Sequence, residues 1–319
     1  MNYQYSWRPT AWSQYYSGSR EIWNYLKQVE QENRFIEKYV KVGHEIVGAE
    51  WDGTAGQWIV KVRDIEGERE FEDRAEVFIN AGGVLNHWRW PDIEGLMAFQ
   101  GKLMHTARYD DSIDLTGKRV AVIGAGSSGV QCIAAVQKQV SKLYTWVRSP
   151  IWVTAGFAQK FAGKDGANFN YTDRQKQWLQ DNPDKYLEYR KIIESELNQR
   201  FKFIIKGTDA AKEARAYSED EMIRKLSQDP RLIDKVIPKD FNVGCRRPTP
   251  GNGFLEALTA NNTTCFTDPI DKITPRGFVD RDGNEHEVDV IICATGFDTS
   301  WYISHYLILV SKTRIEADN

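Results

Sequence analysis

Apolar residues at Ile22, Tyr25, Leu26 and Val29 recur at helical spacing behind Ser19, which predicts a helix over residues 19–33 with Ser19 as its N-cap. The stretch HEIVGAEWDGTAGQWIVKVRD, residues 44–64, alternates with a period of two around Asp52-Gly53 and Gly56 and predicts a hairpin. Two short apolar runs ending in small residues, AEVFINAGG at 75–83 and VDVIICATG at 288–296, read as buried parallel strands. Between them, KRVAVIGAGSSGV at 118–130 leads through VQCIAAVQKQV into SKLYTWVRSP at 141–150. That order, strand, glycine turn, helix, strand, is one βαβ unit. Residues 172–228 are highly charged and lack β-branched runs, so they predict a cluster of surface helices inserted into an α/β framework.

A net charge of −3 shows no basic bias and argues against nucleic-acid binding through phosphate neutralisation. Cys132, Cys245, Cys265 and Cys293 lie far apart, with no CxxC and no Cys/His ligand spacing, so they read as reduced thiols and not as disulfides or a metal site. No apolar run approaches the roughly 18 residues a membrane span needs. The opening MNYQYSWRPT lacks the apolar segment of a secretion signal, and the expected location is the cytoplasm.

In GAGSSG, Gly124 permits the tight turn off the strand, Gly126 lets the backbone approach a pyrophosphate, and Gly129 lets the helix pack against the strand. The N–H groups at Ser127 and Ser128 and the positive helix end would attract the phosphates. The bland alternative is a glycine turn with no ligand. An NAD site carries an acidic residue about 20 positions on, at the end of the second strand. This chain has Arg148 and Ser149 there, a guanidinium and a hydroxyl that suit a 2′-phosphate, so NADPH is expected. The alternative for Arg148 is an ordinary surface arginine.

FQGKLMHTARYD, residues 99–110, sets Phe99, Gly101 and His105 at the spacing FxGxxxHxxx. This resembles the fingerprint of the class B flavoprotein monooxygenases, which include the Baeyer–Villiger and the N/S-oxygenating enzymes. Other segments are similar to that family: YQYSW with YYSGSREIWNYL, INAGG with WRWPDIEGL, GCRRPTPGNGFLEAL, and CATGFD with its Thr295 and Gly296. The likeness runs nearly to Asp298 and is specific above all for fungal members of secondary metabolism.

The resemblance implies FAD and NADPH as cofactors, and a ketone and O2 as substrates giving an ester or lactone. It implies Arg247 as the fixed cation that stabilises the reacting oxyanion, Arg246 as a second contact to the NADPH 2′-phosphate, and His105 as a link between two nucleotide domains. Without the family, two adjacent arginines read as a solvated pair. The chain has Tyr109 where the Baeyer–Villiger fingerprint ends in Trp, as the N/S-oxygenating branch does.

The expected fold is α/β, with two interleaved dinucleotide-binding, Rossmann-like domains and a helical insertion. Residues 1–115 form a first FAD-domain segment, 116–260 the NADPH domain with its insertion at about 151–243, and 261–319 a second FAD segment with an atypical end. No second GxGxxG precedes residue 100, so the FAD domain is expected to be incomplete, leaving AEVFINAGG and VDVIICATG short of a neighbour. A catalytically inactive NADPH-binding remnant, or an interaction protein, is the competing reading. A disulfide-reductase-like flavoenzyme is set aside for want of a CxxC pair.

Overall fold

The structure, a computed structural model, describes residues 2–154, 158–246, 249–299 and the backbone of 307–309. The chain divides into two units, Met1–Trp23 with Arg89–Gly296, and Asn24–Trp88 with Phe297–Asn319. Helix α1 (Ser19–Asn33) takes Ser19 as its first helical residue, one position inside the expected cap, and buries Tyr25 and Val29 as the spacing foresaw.

In the smaller unit a short helix α2 (Phe35–Tyr39) precedes an antiparallel meander of β1 (His44–Asp52), β2 (Gln57–Asp64) and β3 (Arg69–Ala75). The hairpin turn closes because Asp52 Oδ1 accepts the N–H groups of Thr54 and Ala55 at 2.9 and 3.0 Å. Trp51 and Trp58 face each other across it with ring centroids 5.5 Å apart. The backbone of Leu307–Leu309 pairs in parallel with β1.

The strand expected over 75–83 is not formed. The third strand is the polar stretch ending at Ala75, and the chain beyond it carries Val77 and Ile79 at 72% and 81% exposure. A strand exists only where its backbone groups find a ladder partner, and 76–83 finds none among the described residues.

The larger unit is built on β4 (Lys102–His105), β5 (Arg119–Ile123), helix α3 (Ser127–Val136) and β6 (Lys142–Trp146). A strand pair follows, β7 (Val153–Thr154) with β8 (Thr249–Pro250), enclosing helices α4 (Asp173–Asp181), α5 (Pro183–Gln199), α6 (Asp209–Leu226) and α7 (Pro230–Val236). Helix α8 (Phe254–Leu258) leads to β9 (Thr263–Phe266). A small antiparallel sheet, β10 (Lys272–Thr274), β11 (Gly277–Val279) and β12 (Glu285–Glu287), precedes β13 (Val290–Cys293). The main sheet runs β4-β13-β5-β6-β9 with every pairing parallel. VDVIICATG is therefore flanked on both sides, by β4 and β5, and the open edge expected for it does not exist. Thus β9 and β13, which the sequence reading placed in a second FAD segment, lie in the sheet that carries the glycine turn, β13 beside β5 and β9 beside β6.

Both faces of this sheet are buried, which is why its strands read as continuous apolar runs. Val120, Val122, Val290 and Ile292 join the cluster containing Val130 and Ile133 of α3, whereas Ala121, Ile123, Ile291 and Cys293 join Phe99 and Phe278 in another. The helical insertion shares the first cluster through Met222 and Leu226 of α6 and Leu232 and Val236 of α7. Its helices start where the sequence caps them: Thr172 forms a capping box with Gln175, and Pro183 and Pro230 open α5 and α7.

Candidate functional site

Strand β5 lies between β13 and β6, and the glycine turn leaves its carboxyl end, the edge at which open α/β sheets bind ligands. Gly124 has φ +113°, and a Cβ there would lie 2.4 Å from the Ala294 carbonyl oxygen. A Cβ on Gly129 would lie 1.9 Å from the Gly124 carbonyl oxygen, so α3 approaches the strand only because both residues are glycine. Gly126 differs: its φ is −74°, and nothing stands within 4 Å of the Cβ position. The fold does not require glycine at 126, and the space it leaves suits an approaching diphosphate.

Helix α3 has no side-chain N-cap bond, and its first internal bond runs from Val130 N–H to Gly126 O. The N–H groups of Ser127, Ser128 and Gly129 are the orphan donors of a helix start. Ser127 Oγ lies 3.3 Å from the hydroxyl of Thr249, a buried residue in the RRPT segment. Arg148 and Ser149 are exposed just beyond β6, and no described carboxylate pairs with Arg148. Arg246 is exposed with its guanidinium 4.6 Å from the Phe241 ring centroid. Arg247 lies outside the described residues.

The fingerprint residues serve packing and connection. A Cβ on Gly101 would meet Phe99 Cζ at 2.4 Å and Asp289 O at 2.7 Å, so the pair closes the entry to β4. His105, at the end of β4, is 1% exposed. Its Nδ1 accepts the Ala107 N–H at 3.1 Å, which places the proton of the neutral ring on Nε2. Nε2 then donates to Thr295 Oγ1 at 3.3 Å, and that hydroxyl donates to Arg89 O at 3.5 Å. Trp90 packs edge-on at 6.0 Å. The chain passes between the two units at 23/24, 88/89 and 296/297, and Gly296, at φ +83°, stands at the last passage. His105 thus bonds Thr295, beside the passage at 296/297, and packs against Trp90, beside the passage at 88/89.

Burial pushes the His105 imidazole below the usual histidine range. In the unfolded chain it protonates near pH 6.5, in the folded chain only at lower pH, so the unfolded state binds more protons as pH falls through that window. Stability from this residue is complete above about pH 6.5 and is lost on acidification. Urea midpoints measured from pH 7.5 to 5 are expected to fall, and His105→Gln, which stays neutral, to flatten the slope. An unchanged slope would show that the proton uptake occurs elsewhere.

The turn, the uncapped helix start and Arg148 fit a dinucleotide with a 2′-phosphate. The other glycine turn from a strand into a helix among the described residues, Gly251–Gly253 between β8 and α8, opens a helix of only five residues, and a Cβ on Gly251 would meet Val153 Cγ1 at 2.2 Å, so it lacks the open face of Gly126.

The family model described as flavin-binding monooxygenase-like matches residues 7–225, which covers both the fingerprint and the glycine turn. The chain belongs to this family. It is an oxidoreductase by lineage. It is 38% identical over 302 residues to the FAD-binding monooxygenase tazF of Aspergillus terreus, covering 94% of this chain and 53% of the relative. It is 34% identical over 307 residues to moxY of Dothistroma septosporum, covering 94% of this chain and 48% of the relative. The chain thus spans about half the length of these curated relatives. Among solved structures it resembles ε-caprolactone-bound cyclohexanone monooxygenase, with a TM-score of 0.70 and 26% identity over 93% of this chain and 63% of that one. It also resembles oxidised steroid monooxygenase bound to NADP, with a TM-score of 0.76 and 24% identity over 98% of this chain and 64% of that one, a likeness of fold. No helix among the described residues is long and apolar enough to cross a membrane.

Two contributors escaped the sequence reading. Thr249 stood in a quoted segment, but a threonine between prolines carries no periodic signal. Ala294 reads in the sequence only as a small residue closing an apolar run, yet its carbonyl oxygen would stand 2.4 Å from a Cβ on Gly124.

Proposed function

We propose that this chain carries the NADPH site and the arginine pair of a FAD- and NADPH-dependent monooxygenase that inserts one oxygen atom of O2 into a ketone, giving an ester or lactone in specialised metabolism. The observation that carries the reading is the open face at Gly126 over an uncapped helix start, with Arg148 and Ser149 at the end of the next strand. The first suits a diphosphate and the second a 2′-phosphate. The oxygenation side rests on kinship, including a solved relative that holds ε-caprolactone, a lactone.

FAD, when bound, supplies the chemistry that activates O2. The chain's own residues do the rest. Gly126, Ser127 and Ser128 hold the NADPH diphosphate, Arg148, Ser149 and Arg246 the 2′-phosphate, and Arg247 sets a permanent positive charge beside the ketone carbonyl as it becomes an oxyanion. Thr295 and Gly296 complete the nucleotide edge of the sheet.

Flavin-loaded protein given a ketone, NADPH and 18O2 is expected to yield an ester carrying one 18O. Oxygen transfer to sulfides or amines but not ketones would favour the N/S-oxygenating reading, which Tyr109 at the fingerprint's end supports. A protein that binds NADPH yet shows no flavin absorption band when FAD is added would be the inactive remnant.

Arg148→Ala tests the nucleotide choice. Loss of a charge-assisted contact worth about 1.5–3 kcal/mol weakens NADPH binding roughly 10- to 100-fold and leaves NADH binding nearly unchanged. Equal weakening of both, measured by nicotinamide fluorescence, would remove the 2′-phosphate from Arg148.

A further inference from the structure

The helical insertion lines an open cavity of about 1600 Å³ that neither the glycine turn nor the fingerprint uses. Ligand pockets usually span about 300–1,000 Å³, so this one admits a molecule larger than a simple cyclic ketone. Phe201, Ile204 and Tyr217 line it at 64%, 45% and 52% exposure. Large apolar side chains left this open, and converging from the turn after α5 and from α6 on one hollow, mark a surface that binds.

Its charge is not neutral. Lys160, Lys164 and Arg200 line it against Glu196 and Glu213, three cations to two carboxylates. Glu196 is already committed: its Oε1 takes both the Nε and Nη2 of Arg200, at 3.0 and 2.5 Å. Arg200 Nη1 takes no part in that bond, and no described carboxylate pairs with Lys160 or Lys164. The lining also includes Thr154 of β7 and Val243, three residues before Arg246. Gly166, another lining residue, is held from behind by the Asn252 amide, which donates to its carbonyl at 2.7 Å.

We propose that this cavity is a binding site, separate from the glycine turn, for a large aromatic molecule bearing an anionic group, with Phe201 and Tyr217 against its rings and Lys164 against its charge. The inference stands on this cavity alone and does not require the oxygenation reading.

The test uses 8-anilino-1-naphthalenesulfonate, an aromatic anion, and neutral N-phenyl-1-naphthylamine, both followed by fluorescence on the purified chain. One saturable site for the anion is expected, undisturbed by saturating NADPH. The double variant Phe201→Ala, Tyr217→Ala should weaken both probes at least tenfold. Lys164→Glu should weaken only the anion, by about fivefold or more. Retained NADPH binding in each variant reports an intact fold, and these side chains are exposed enough for that to be expected. Displacement by NADPH, unchanged affinity in the double variant, or equal response of both probes to Lys164→Glu would overturn the proposal.

Discussion

Gly126→Ala is expected to keep the fold and lose the nucleotide, while Gly129→Ala is expected to damage the fold first. At 126 the backbone is extended, with φ −74° and ψ −173°, which alanine adopts freely, and nothing lies within 4 Å of the new Cβ. Stability should stay within about 0.5 kcal/mol of the parent. The methyl group would stand between the diphosphate and the N–H groups that receive it, and a loss of about 2.8 kcal/mol, a 100-fold rise in the Kd for NADPH, is expected. At 129 the new Cβ would sit 1.9 Å from the Gly124 carbonyl oxygen, a backbone atom that cannot swing aside as a side chain would. Alanine returns about 1 kcal/mol of helix propensity. Overpacking against backbone costs about 3 kcal/mol, so the clash wins by roughly 2 kcal/mol. Urea titration and NADPH fluorescence on the two variants separate the effects. Unaltered NADPH affinity in Gly126→Ala would reduce the loop to a turn without a ligand, and unaltered stability in Gly129→Ala would refute the packing role.

These two glycines also show what the sequence could convey. The GAGSSG spacing identified a strand-to-helix turn because only glycine tolerates such contacts, and the parallel strands around it were legible because burial on both faces leaves an uninterrupted apolar run. AEVFINAGG carries the same run and yet forms no strand: Val77 and Ile79 stand exposed. Apolar composition records what a segment is suited to pair with, whereas a strand needs the partner itself. The same limit misplaced VDVIICATG, whose neighbours β4 and β5 lie about 190 and 170 residues earlier in the chain, at separations no local pattern encodes. His105 was found through its spacing from Phe99 and Gly101, but its role was not. The bonds to Ala107 and Thr295 show a buried neutral ring that ties the end of β4 to the residue before Gly296.

Arg247→Ala is the substitution expected to divide the reaction. Arg247 itself lies outside the described residues; kinship and its neighbours in sequence support its role. On one side Arg246 is held over Phe241, and on the other Thr249 is buried in β8 and reaches Ser127 at the start of α3. The segment that carries Arg247 is thus pinned at both ends to the nucleotide-binding unit. A guanidinium stays charged at every working pH, so its field acts on the developing oxyanion without proton transfer. Removing one such stabilising group typically costs a factor of about 100 to 1,000 in rate. NADPH oxidation does not draw on that charge in the same way, since hydride transfer builds no oxyanion at the ketone. In flavin-loaded protein the variant should therefore keep consuming NADPH while ester formation falls by at least 100-fold and the reducing power appears as hydrogen peroxide. Ester formed at the parental rate would remove Arg247 from the oxygenation step. Loss of NADPH oxidation together with the ester would assign it instead, with Arg246, to holding the nucleotide.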